Sequence, residues 1–346
     1  MYESIGQRPK TEHVAKAAQF VSMRLFYPDL TVPTASILIK MYSTVRPTIV
    51  DRLTQGGKVV AARAEYERSC TPDGACNPAQ QPLQKDTLKT LYENKAAGLV
   101  QSQDAQELTG KWLGEAQWLS QTTHPTILPA LSMLSSIKTI EGTLQALKHL
   151  FRYLKGKQDF ALVKKIGNRE GFVVHSDADW AGLYDLSGGQ ELRSRTGIQI
   201  TYDGMPITCK SYFQKCSSTN YKPGFNYTDE YIATSSADSE LHAAKDALSE
   251  AMHLRFVAEE LEIPVAPKIV IGVDAGAALG FIKNTSTCSS NLKHINLRLA
   301  WVQQIRDRSM VEFEKVPGTE NPADLFTKLQ GLPTFKKMES QLMQIM

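Results

Sequence analysis

The spacing of apolar residues divides the chain into a stretch that reads as helices and a stretch that alternates strands with helices. Over 105–121, AQELTGKWLGEAQWLSQ sets Leu108, Trp112, Leu113, Ala116 and Leu119 on one stripe, which predicts an amphipathic helix. Pro125 and Pro129 interrupt the next segment. IEGTLQALKHLFRYLKG (140–156) repeats Leu144, Leu147, Leu150 and Leu154 at intervals of three and four, with Gly156 as the expected C-cap. Lys148, His149, Arg152, Lys155 and Lys157 crowd its last turns. Cations are favoured there by the helix dipole, and a phosphate-contacting face is the other reading.

From about residue 168 the period shortens. VVHSD (173–177) predicts a strand, and SRTGIQITYDGMPITCKSYF (194–213) predicts two more, joined at Asp203-Gly204 in a tight hairpin turn. SSADSELHAAKDALSEAMHLRFVAEELE (235–262) is one long helix. Its core-facing stripe is Leu241, Ala244, Leu248, Ala251, Leu254, Val257 and Leu261. The β-branched run KIVIGV (268–273), a helix pair over 275–283 and about 291–308, and the alternating strand MVEFEKV (310–316) come next. NPADLFTKL (321–329) offers Asn321 as N-cap, Pro322 at the first helical position and Asp324 in the first turn. Strands and helices in this order predict an α/β domain over 168–330.

The remainder is less patterned. Residues 1–102 form a poorly defined region, with helices at 12–26 and 87–100 and a turn-rich loop or linker near 69–86. A helical segment fills 103–160, and 331–346 reads as a C-terminal tail.

Composition narrows the class only slightly. The chain is 42% hydrophobic and 22% charged, as in an ordinary globular protein. It has no apolar run near the roughly 20 residues of a membrane span, and its first residues lack the apolar core of a secretion signal. The five cysteines, Cys70, Cys76, Cys209, Cys216 and Cys288, match neither a disulfide framework nor a zinc pattern. The expectation is therefore an intracellular protein, cytoplasmic or nuclear, not secreted and not membrane-bound. A net charge of +3 permits a nucleic-acid partner without requiring one.

The candidate chemistry lies in the acids. Two buried-looking strands end in aspartates, Asp177 and Asp274. If the strands are parallel neighbours, both carboxylates emerge at the sheet edge where such sheets place ligands. Asp179 falls in the turn after Asp177, and Trp180 reads as core or as an anchor under the sheet, with stacking on nucleic acid as the other reading. Glu240 lies in the opening turns of the long helix and Asp324 in the first turn of the last one, so four acids can converge. Two like charges 4 Å apart repel by about 4 kcal/mol at an effective dielectric near 20. Such a gathering calls for protonation or for divalent cations. Carboxylates without histidine or thiolate suit Mg²⁺ or Mn²⁺, and two such ions about 4 Å apart activate water for in-line phosphoryl displacement.

SDADWAG, SRTGIQIT, ATSSADSELHAAKDA, VDAGAAL, LKHINLR and VPGTENPADLFTK resemble, in order, the blocks of the RNase H domain of copia-type retrotransposon polyproteins. Upstream, GEAQWLSQTTHPTI and LKHLFRYLKG resemble the segment that joins the reverse transcriptase to that domain. The resemblance covers roughly 105–330. It implies a mixed five-stranded sheet flanked by helices, with metal-binding catalytic acids at Asp177, Glu240, Asp274 and Asp324. It also implies a two-ion Mg²⁺ or Mn²⁺ site that hydrolyses the RNA strand of an RNA–DNA hybrid, leaving a 3′-hydroxyl and a 5′-phosphate. The RNA strand is selected through its 2′-hydroxyls and the hybrid through its shape. Lys293 and His294, in LKHI, are the candidate nucleic-acid contacts, and other parts of a retrotransposon polyprotein are candidate partners.

The chain departs from that pattern in several places. SADSE stands for the usual ST-E-A-E, and CSSTNYKPGFNYTDEYIAT (216–234) lengthens a connection. Thr319 is found where many RNases H carry a histidine before the last acid, and THPTI replaces a block that commonly holds an arginine and an aspartate. No Asp-Asp dipeptide occurs, so the polymerase Tyr-x-Asp-Asp signature is absent from this chain. An active nuclease is the first expectation. The alternative is an inactive or domesticated RNase H-like module that binds nucleic acid without cutting it.

Overall fold

The computed structural model describes residues 78–157, 160–162, 171–202, 204–214, 233, 235–260, 263, 265–283 and 296–345. The expected helix at 12–26, Asp203 and four of the cysteines lie outside the described residues; Cys209 is a buried free thiol.

Among the described residues, four helices come first: α1 (Lys85–Ala96), α2 (Gln103–Thr122), α3 (Leu128–Ser136) and α4 (Thr143–Lys155). Ser102 starts α2, its hydroxyl accepting from the Ala105 amide at 3.4 Å. The two prolines open turns instead of breaking a helix, Pro125 at a 3₁₀ turn and Pro129 in the first turn of α3. Gly156 caps α4 as expected, but with a right-handed φ of −75°. Its missing side chain answers crowding instead, since a Cβ there would meet Pro78 at 2.6 Å.

The second half forms a five-stranded sheet from β1 (Phe172–Asp179), β2 (Arg195–Tyr202), β3 (Met205–Phe213), β4 (Ile269–Val273) and β5 (Val311–Lys315). Their order is β3-β2-β1-β4-β5, antiparallel among the first three and parallel from β1 to β5. Helices α5 (Ser236–Glu260), α6 (Gly276–Lys283) and α7 (Asn296–Asp307) pack with the sheet. This mixed five-stranded sheet flanked by helices, preceded by a helical region, is the architecture expected from the sequence.

Two apolar clusters hold the strands. Phe172, Val174, Ile198 and Ile200 meet Leu241, Ala244, Leu248 and Ala251 of α5, the stripe read from the sequence. Leu254 and Val257 are buried with them, while Leu261 lies outside the described residues. In the other cluster Leu131, Leu134, Leu147 and Leu150 of the helical region join Cys209, Phe213, Leu325 and Phe326. A one-residue bulge at Ile207 lets β3 serve both: Ile200 pairs with Thr208 but Thr201 with Pro206. Ile207 accordingly joins the α5 cluster, and Cys209 and Phe213 the other.

Residues 332–345 also fold onto the helical region. Helix α8 (Leu332–Leu342) buries Phe335 and Leu342, and Met343–Ile345 pairs antiparallel with Phe160–Leu162. Buried Glu339 accepts from the Tyr153 hydroxyl and, at 2.6 Å, from Lys157 Nζ. His149 lies 3.1 Å from the Gln81 carbonyl. Two residues of the basic group at the end of α4 thus serve internal contacts.

Two expectations near the first acid are corrected. Asp179 is not in a turn but ends β1, paired in register with the buried Arg195. Trp180 is 50% exposed instead of lying in the core, and its indole N–H donates to the Ala233 carbonyl at 2.9 Å.

The segment carrying the last acid is a short 3₁₀ turn, Pro322–Phe326, not an α-helix. It lies against Gly197 of β2, the register partner of Asp177. A Cβ on Gly197 would come within 2.6 Å of the Ala323 carbonyl and 2.7 Å of Thr327 Cγ2. Since one contact is backbone, it cannot be relieved by a rotamer change. Gly197→Ala is expected to destabilise the protein by about 1–3 kcal/mol, read from urea unfolding, and a neutral effect would contradict this packing.

Candidate metal centre

Asp177 and Asp274 emerge side by side because β1 and β4 are parallel neighbours, with Ser176 paired to Val273. The third acid is carried by α5. Ser235 opens that helix, its hydroxyl accepting from the Asp238 amide at 3.1 Å. Gln214 then fastens the helix start to the sheet: its amide donates to Thr196 Oγ1 at 3.1 Å and to the Ser239 carbonyl at 2.8 Å. Glu240 is the next residue. As a result, one carboxylate oxygen from each of Asp177, Glu240 and Asp274 lies within 4.8 Å of the others.

Asp324 stands beside this trio, not within it. Asn321 positions its turn by accepting from the Ala323 amide at 3.1 Å and donating to the Ser176 carbonyl at 2.9 Å. Both Asp324 carboxylate oxygens are engaged, by Lys328 Nζ at 2.5 Å and by the Gln330 amide at 2.8 Å. Lys328 also approaches Asp177 Oδ2, at 3.9 Å, and the Thr327 hydroxyl donates to that same oxygen. The structure therefore brings three of the four expected acids together and separates the fourth by a lysine. Lys293 and His294 lie outside the described residues.

Electrostatics mark the trio as unfinished. Burial, reinforced by the Asp177 and Asp274 charges, pushes the Glu240 carboxyl up to about 9, with the Ala178 amide partly offsetting it. Burial also raises Asp177 to about 7, against the pull of Lys328 and the Thr327 hydroxyl. For Lys328, burial alone would lower the pKa, but Asp177, Asp324 and Asp179 outweigh it and the shift is upward. Glu240 is 8% exposed. Its Oε2 and Asp274 Oδ1 are buried without a hydrogen-bond partner among the described residues. An unpaired buried carboxylate oxygen is costly, so these two atoms suit a proton or a positive ligand.

The donor set fits a hard divalent cation. All three ligands are carboxylate oxygens, with no thiolate or imidazole among them. Two oxygens bound to one ion at about 2.1 Å lie no more than about 4.2 Å apart, and the three here lie within 4.8 Å of one another. Lys328, Thr327, Gln214 and Gln330 carry no role in the sequence reading, although Lys328 falls four residues after Asp324, a spacing that favours pairing on a helix.

No protein-family model matches the chain. It is similar to the retrovirus-related Pol polyprotein from transposon TNT 1-94 of Nicotiana tabacum, 27% identical over 220 residues, 63% of this chain and 15% of that polyprotein. It is also similar to the retrovirus-related Pol polyprotein from transposon RE1 of Arabidopsis thaliana, 26% identical over 232 residues, 66% of this chain and 14% of that polyprotein. The chain thus spans about 15% of the length of these curated relatives. Among solved structures it is similar to LC11-RNase H1 isolated from compost, at 13% identity and a TM-score of 0.29, covering 44% of this chain and 90% of that one. At that score the likeness carries no argument. The Pol polyprotein relatives are consistent with an RNase H domain of a copia-type polyprotein.

The raised carboxyls give the metal-free protein a definite pH dependence. Folded, Glu240 keeps its proton up to about pH 9, whereas the unfolded chain releases it near 4.5. The folded state binds more protons across that window, so this stability is complete below it and is lost as pH rises through it. Asp177, raised from 3.8 to about 7, adds to the loss in the lower part. In EDTA, Tm should fall from about pH 5 to about pH 9, Glu240→Gln should flatten the fall, and excess Mg²⁺ should restore Tm at the alkaline end. A Tm that rises over this range in EDTA would contradict the assignment.

Proposed function

We propose that this RNase H-like domain of retrotransposon Pol type is a metal-dependent endonuclease that hydrolyses the RNA strand of RNA–DNA hybrids. One observation carries the reading: Asp177, Glu240 and Asp274 each bring a carboxylate oxygen to one place beside a parallel strand pair, and Glu240 and Asp274 each have a buried oxygen with no hydrogen-bond partner among the described residues. Asp177, Glu240 and Asp274 would hold Mg²⁺ or Mn²⁺, with Asp324 as the fourth acid of the site. Bound there, a divalent ion supplies an acidified water and charge stabilisation for in-line displacement at phosphorus.

The chain's own groups prepare that position. The Thr327 hydroxyl fixes one oxygen of Asp177, Gln214 sets the height of Glu240 through the start of α5, and Asn321 ties the Asp324 turn to β1. Lys315 donates to the Asp274 backbone carbonyl at 2.6 Å, fixing the end of β4. The partner in this reading is an RNA–DNA hybrid, recognised by shape and 2′-hydroxyls without a sequence code. The setting is intracellular, alongside other parts of a polyprotein.

A second reading rests on the engaged state of Asp324, both of whose oxygens already have donors. In that reading the fold binds nucleic acid without cutting it. A labelled RNA–DNA hybrid incubated with the protein and Mg²⁺ separates the two. Cleavage of the RNA strand is expected, lost by EDTA and reduced on the order of 10²-fold or more in Asp274→Asn. Hybrid binding without cleavage would favour the second reading, and no affinity for the hybrid would remove both.

A further inference from the structure

Within the site, two groups of carboxylate oxygens differ in their state. Glu240 Oε2 and Asp274 Oδ1 are buried and have no donor among the described residues. On the other side, Asp177 Oδ2 accepts from Thr327, and Asp324 accepts from Lys328 on Oδ1 and Gln330 on Oδ2. On one side buried oxygens have no donor among the described residues, and on the other an ammonium is in place. Lys328 Nζ lies 2.5 Å from Asp324 Oδ1 and 3.9 Å from Asp177 Oδ2.

We propose that Lys328 is the site's second cation: its ammonium fills the position between Asp177 and Asp324, leaving one divalent-ion site on Asp177, Glu240 and Asp274. The inference rests on the metal-centre reading above and changes its stoichiometry.

Sterics support exclusion. An ion bridging Asp177 and Asp324 would need bonds of about 2.1 Å to each. An ammonium nitrogen that donates to one of the same oxygens already occupies that space. Charge works in the same direction, because a cation added beside Lys328 meets a like charge at a few ångströms. The lysine stem gives the ammonium a fixed anchor: Lys328 comes just after the 3₁₀ turn that Asn321 and Gly197 hold against the sheet. An ammonium supplies charge and hydrogen-bond donors but no coordination position. Lys328 is therefore a positioning residue for Asp177 and Asp324, and the divalent ion is confined to the side where oxygens lack donors.

The test is Mn²⁺ uptake by the full chain, without nucleic acid, measured by titration calorimetry and electron paramagnetic resonance. The wild type is expected to take up one Mn²⁺ with the spectrum of an isolated ion. Lys328→Met is expected to take up two, with the broadening of a spin-coupled pair, and Lys328→Arg, which keeps the charge, to remain at one. Lys328 is 44% exposed, so these variants should fold, and circular dichroism checks that they do. Two ions in the wild type, or one in Lys328→Met, would overturn the lysine's role while leaving the metal centre standing. If the wild type takes up no Mn²⁺ that Asp274→Asn abolishes, the metal centre fails and Lys328's role falls with it.

Discussion

Mutual repulsion among carboxylates that have lost their water is the constraint around which this domain is organised. Asp177 and Glu240 are buried and Asp274 is half-buried, yet one oxygen of each shares a space within 4.8 Å. In a low-dielectric interior such an arrangement persists only by taking up protons or cations. The protein provides both: the raised pKa values of Asp177 and Glu240 are the proton answer, and Lys328 is a built-in cation. A site with strong demand for positive charge on one side, and a lysine satisfying it on the other, could hold a metal ion.

Holding like charges together requires a stiff frame, and the frame comes from the two apolar clusters. The α5 cluster fixes the long helix along the sheet, so Glu240 is delivered by a packed element and not a loop. The second cluster brings the helical region and α8 against β3 and the 322–326 turn. Through Leu325 and Phe326 it supports the segment that carries Asp324 and Lys328. The segment before the sheet and the segment after it are thus joined to the site mechanically. Buried polar contacts set the final placement: Gln214 for Glu240, Asn321 for Asp324 and Thr327 for Asp177.

Under the function proposed above, this arrangement has a functional logic. A nuclease acting on a hybrid by shape needs a rigid charged centre more than a base-reading surface. The half-exposed Trp180 and Tyr184, just beyond the end of β1, leave aromatic faces open to solvent near the same sheet end. The Gly318–Glu320 turn is exposed and directly precedes Asn321.

The sequence by itself determined the elements and most of the acids. The stripe of α5, the β-branched runs of β1 and β4, and an acid at or beyond each strand's end are local patterns, and local patterns survive folding. The parallel pairing of β1 and β4 stood in the sequence only as a condition, and the packed sheet supplies it. What only the tertiary structure decided was which acids meet. Asp324 was expected among the four, but Lys328 and Gln330 occupy its oxygens, a competition between neighbours that spacing alone does not rank. Gln214 and Thr327 were silent for the same reason: a glutamine after a strand and a threonine after a turn gain meaning only from partners 18 to 150 residues away. Gly156 shows the converse, a correctly located cap whose reason was contact with Pro78 and not its own backbone angle. Periodicity and capping act over a few residues and can be read in one dimension; the sharing of charge and hydrogen bonds depends on distances that exist only once the chain has packed.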